Sequence, residues 1–115
     1  MEETKTISVE QKQQDFLSIL QSIIGVQFWI PEKCVQSIFQ REGGVKYVYN
    51  VSVMNKPNCV HTIEIHESIS NRLLVQLVNN KLKEPVIWHK FFANKDDFKN
   101  NIIVVKEFIN TLQPY

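Results

Sequence analysis

Between Val9 and Phe108 the apolar positions change period twice, and the two changes divide the chain into three zones. In the first zone Phe16, Leu17, Leu20, Ile23 and Ile24 recur at helical spacing behind Ser8 and Gln11, a helix-starting pair, and Gly25 offers a stop. This predicts a helix over 9–24. An apolar connector, Val26-Gln27-Phe28-Trp29-Ile30, leads to Pro31, after which Cys34, Val35, Ile38 and Phe39 fall on one helical stripe. The spacing predicts a second helix ended by Gly43-Gly44.

In the second zone the period drops to two. Val45, Tyr47, Tyr49, Val51 and Val53 alternate with Lys46, Val48, Asn50 and Ser52, the mark of a half-buried strand. Asn55-Lys56-Pro57-Asn58 is turn chemistry, and 59–67 alternates again with Ile63 and Ile65 on one side and Thr62, Glu64 and His66 on the other. Strands over 73–78 and 86–92 follow, the last with Pro85 at its entry. In the third zone Asn94 and Asp97 open a helix whose apolar face runs through Phe98, Ile102, Val105, Phe108, Ile109 and Leu112 to Pro114.

The expected fold is therefore α+β: a four-stranded antiparallel meander with two N-terminal helices and one C-terminal helix, in the order ααββββα, packed as a two-layer sandwich. Residues 1–7 read as a flexible tail and 8–115 as a single domain. The strand patterns contain a misfit. An antiparallel sheet with one wet face alternates cleanly, yet the face opposite the tyrosines carries Val48, Leu74, Val78 and one of two apolar sets in the last strand.

Composition narrows the class. Apolar residues make up 43% and charged residues 22% of 115, which suits a packed core. The net charge of +1 is split: residues 1–43 carry four basic and six acidic side chains, residues 44–115 nine and six. That gradient is too shallow to imply nucleic acid by itself. Cys34 and Cys59 lack a CxxC spacing and read as buried thiols, and the acidic start of the chain is unlike a signal peptide. These features predict an intracellular, cytoplasmic protein without a membrane span.

Chemistry-bearing residues are few. Glu64 and His66, two apart on a strand, share a face where a carboxylate could orient an imidazole, but alternating polar residues are also what a solvated strand shows. His61, His66 and His89 form no metal-binding spacing, Gly43-Gly44 follows a helical pattern where a phosphate loop precedes one, and no serine sits in a nucleophile motif. No cofactor and no metal are expected.

What remains is a surplus of large apolar groups. Phe28, Trp29, Val48, Leu74, Val78, Trp88 and Phe91, rimmed by Lys46, Arg72 and Lys90, form the expected contact surface of a non-catalytic protein-interaction module, whether a homodimer, a complex subunit or an inhibitor-like partner. The alternatives are a nucleic-acid binder using the basic C-terminal portion and a small enzyme using Glu64 and His66 in a cleft between sheet and helices.

Overall fold

The computed structural model describes residues 8–23, 28–29, 36–53 and 61–110. Helix α1 spans Val9–Gln21, and six strands follow: β1 Phe28–Trp29, β2 Gln36–Arg41, β3 Gly44–Val53, β4 His61–Ser68, β5 Leu73–Asn79 and β6 Val86–Phe92. Two short helices close the described chain, α2 Lys95–Asn100 and α3 Ile103–Asn110. The protein is α+β with an antiparallel sheet. Its elements differ from the expected order in three places, the smallest being Phe28–Trp29, expected as a connector and found as strand β1 beside β3.

The first difference is in the expected second helix, whose described part, 36–41, is instead strand β2, paired antiparallel along β3 from Gln36↔Tyr49 to Arg41↔Gly44. The stripe Ile38-Phe39 fits a helix and a strand equally well over six residues. Glu42-Gly43 then acts as a two-residue hairpin loop, not a helix stop. Gly44 explains why glycine is needed beside it. Its φ of +145° is a backbone shape L side chains avoid, and a Cβ there would run into the Glu67 carbonyl of β4. With β2 added, the sheet is a sequential meander five strands wide, β2-β3-β4-β5-β6, and β1 pairs with the far end of β3.

The second difference is at the C-terminal end, where the single expected helix breaks at Asn101. The Asn101 side chain turns back on Asp97, donating to its carbonyl at 3.0 Å and its carboxylate at 2.8 Å, and this local bonding competes with helix propagation. The starts of α1 and α2 are as expected. Ser8 Oγ accepts from Gln11 N at 3.1 Å, and Asn94 Oδ1 accepts from Asp97 N at 2.9 Å. The Gln11 side chain bonds Asp15 at 3.0 Å and so does not complete a reciprocal box.

Register decides the faces. Tyr47, Ile65, Val75 and Lys90 lie side by side, as do Tyr49, Ile63, Leu77 and Trp88, and all point to the face that the helices cover. Phe16 of α1 sits 5.1 Å from the Tyr47 ring and 6.1 Å from Phe98 of α2, and Phe98 sits 5.2 Å from Phe92. On α3, Phe108 stacks on Trp88 at 5.4 Å. Leu20, Ile23, Val51, Leu73 and Val105 complete the same core. No helix among the described residues is long and apolar enough to cross a membrane. The cysteines, the 55–58 turn and the tail 1–7 lie outside the described residues.

Two stability outcomes follow from this packing. Phe16→Ala removes a fully buried ring shared by three elements and is expected to cost about 3–5 kcal/mol in chemical denaturation. Gly44→Ala is expected to lower Tm well beyond Gly43→Ala, because nothing lies within 4 Å of a Cβ at Gly43; equal effects would mean the β3–β4 approach is not the constraint.

Candidate functional site

The strand face away from the helices holds two rows of side chains that run across all five strands. One row is Phe39, Lys46, His66, Leu74 and Phe91; the next is Ser37, Val48, Glu64, Gln76 and His89. No described helix packs on them. Phe39 is 51% exposed and Phe91 69%, values far from those of core aromatics. The Lys46 ammonium lies 5.1 Å from the Phe39 ring centre and His89 lies edge-on to Phe91 at 6.1 Å.

At the centre of these rows His66 Nε2 meets Glu64 Oε1 at 3.1 Å, with a fifth to a quarter of each side chain exposed. Alternation on β4 places both away from the helices, so the expected cleft between sheet and helices is not where they are. Val48, Leu74 and Gln76 stand beside them in the register. The arrangement presents a hydrogen-bonded carboxylate and imidazole in an apolar frame. Beyond it, Thr62 and Val78 are buried and close that end of the exposed surface.

The expected contact residues separate accordingly. Val48, Leu74, Phe91 and Lys46 come together on the open face, whereas Val78 shares its side but is only 5% exposed. Trp88 and Lys90 belong to the helix-covered face, with Trp88 under Phe108 and the Lys90 ammonium 5.7 Å from the Phe92 ring. Alternation alone could not say this, since β6 is apolar on both sides, and a bulge at Leu77/Val78 moves Val86 opposite Val78. Arg72 is exposed in the β4–β5 turn. The side chains of Phe28 and Trp29 lie outside the described residues. Phe39 was missed because its stretch reads as a helix; the signal that could have found it is Glu42-Gly43 facing the strong alternation of 45–53.

The helix-covered side has its own polar elements, and they are structural ties. Lys12 Nζ reaches both Glu67 oxygens at 3.0 and 3.2 Å, Tyr49 donates to the Gln13 carbonyl at 2.8 Å, and Lys95 pairs with Asp15 at 3.0 Å. Burial first, and the Glu67 carboxylate second, push the Tyr47 phenol above its ordinary value; burial does the same to Tyr49. Both stay neutral hydroxyls. A shallow cleft of about 400 Å³ between α1 and α2 is lined by Asp15, Ser18, Ile19, Ser22, Lys95, Asp96 and Lys99, with Asp15 already paired to Lys95 across it. Among the described residues no cluster of His, Cys, Asp or Glu could hold a metal ion.

No family model, curated protein or solved structure matches this chain. Function must be read from the residues.

Asp15 supplies a pH outcome. The Gln11 amide and then the Lys95 ammonium hold its carboxyl below the ordinary value of 3.8. A depressed folded-state value means the stabilisation is complete above that ordinary value and is lost as pH falls below it. Thermal unfolding of the native chain below about pH 4 is therefore expected to fall more steeply with acid than that of Asp15→Asn; parallel curves would exclude the tie.

Proposed function

We propose that this protein is a non-catalytic protein-interaction module that docks a second protein on its open sheet face. The observation that carries the reading is the pair of rows from Phe39 to Phe91 and from Ser37 to His89, with exposed aromatic rings at both ends and a Glu64–His66 pair in the middle. Aromatic rings that no described helix covers concentrate interfacial binding energy, and a fixed polar pair sets register. Glu64 and His66 serve here as a recognition element, not as a general base.

Two features favour a protein surface over a nucleic-acid strand. Lys46 is the one lysine in the two rows, and the Glu64 carboxylate sits where phosphates would have to pass. The tyrosines that could have stacked on bases are fully buried against α1. Lys90 also faces the helix side of the edge strand β6, where an inward charge discourages open-ended strand addition. Docking through the face is then favoured over docking through the edge.

The test is site-specific photo-crosslinking in cells that express the protein, with a benzophenone side chain at position 91 or at position 106, an exposed site on α3. Adducts are expected from 91 and not from 106, and Phe39→Asp is expected to reduce them severalfold. Equal labelling at both positions, or none at 91, would sink the reading.

A further inference from the structure

We propose that the occupant of the open face is a second copy of this chain, joined about a two-fold axis that crosses the strands between the two exposed rows. The inference rests on the docking reading above and names its partner. A two-fold interface must be self-complementary, because each residue meets the symmetry mate of its own neighbour. The exposed surface consists of two adjacent rows, so an axis between them lays one row on the other.

Charge selects this axis. Between the rows, Glu64 of one copy lies over His66 of the second and His66 over Glu64, giving alternating carboxylate and imidazole groups at the centre. Lys46, whose close contact among the described residues is the Phe39 ring, comes one strand spacing from the second copy's Glu64, about 4.8 Å to the side. Shape agrees: Phe91 falls on His89, an edge partner it already uses within the chain, and Phe39 falls on the small Ser37. An axis running along β4 instead would set Glu64 on Glu64 and His66 on His66, stacking carboxylate on carboxylate in a desolvated contact.

Area sets the strength. Two rows across five strands give roughly 330 Å² of flat sheet per copy at ordinary strand spacings, so the contact stays below the about 1,600 Å² of a standard interface. Pairing is therefore weak and concentration-dependent, with sheets aligned face to face about 10 Å apart.

The experiment is sedimentation velocity on the full chain from micromolar to about 1 mM, with charge-reversal variants. The native chain is expected to pass from monomer to dimer over that range. Glu64→Lys alone and His66→Glu alone are each expected to stay monomeric while circular dichroism shows both folded. An equimolar mixture of the two is expected to recover dimer. In the mixed pair the introduced lysine of one variant meets the introduced glutamate of the other, while the native His66 of the first and the native Glu64 of the second still face each other. If either reversal unfolds the chain, Glu64→Gln and His66→Gln read the same contact as a loss of dimer.

A dimer insensitive to all four changes, or singles that dissociate without recovery on mixing, would overturn the proposal. A native chain that stays monomeric throughout overturns self-pairing. If position 91 then still crosslinks to a different protein, docking through the face survives; if it crosslinks to nothing, both readings fall.

Discussion

Everything on the covered side of the sheet is arranged around the ring of Phe16. It is fully buried, lies against Tyr47 in the sheet and faces Phe98 of α2, which in turn meets Phe92 of β6. Four elements, α1, β3, β6 and α2, thus share one apolar junction, and aromatic contacts of this kind add directionality to area burial. The polar ties stand around it on the same helix. Lys12 holds Glu67 of β4, the Gln13 carbonyl takes the Tyr49 hydroxyl and Asp15 holds Lys95 at the start of α2. A helix anchored at these points has one orientation on the sheet, and the polar groups that make these ties are satisfied where they are desolvated.

That arrangement makes the two faces of the sheet unequal. All three described helices contact the side bearing Tyr47, Tyr49, Trp88 and Phe92, so apolar groups of opposite parity, Phe39, Val48, Leu74 and Phe91, are left without helical cover. Neighbouring polar groups keep such a face from being merely sticky. Lys46 sits over Phe39, His89 meets Phe91 edge-on, and Glu64 with His66 places a hydrogen-bonded polar pair at the centre. In the docking proposed above, a surface of this composition favours partners that return its carboxylate–imidazole pattern over indiscriminate collapse. At the sheet's edge the β5–β6 bulge and the inward Lys90 have the same sense, since both oppose continuation of the ladder by another strand.

Much of this was written in local pattern. The first helix and its cap, the alternation of 45–53, the strands 61–68, 73–79 and 86–92 and the start of the last helical segment follow from period, turn chemistry and side-chain capping, which act within a few residues. So does the burial of Tyr47 and Tyr49, which sit on the strand's better apolar side. The surplus of apolar groups on the second face was visible for the same reason. Their identity was visible only in part, as Val48, Leu74 and Phe91.

Tertiary structure decided what local pattern left degenerate. Gln36–Arg41 satisfies two periods at once, and only hydrogen bonding to β3 makes it a strand, with Glu42-Gly43 as its loop and Phe39 on the open face. Strand β6 is apolar on both sides, so the helix layer chooses Trp88 as core and leaves Phe91 exposed, while the bulge reassigns Val86. The sequence by itself determined where most of the described chain is extended or helical and that Tyr47, Tyr49 and the apolar side of α1 leave water. Which face each residue serves is a non-local choice, set by pairing and by where Phe16 anchors the helices, because a strand with apolar groups on both sides carries no parity signal of its own.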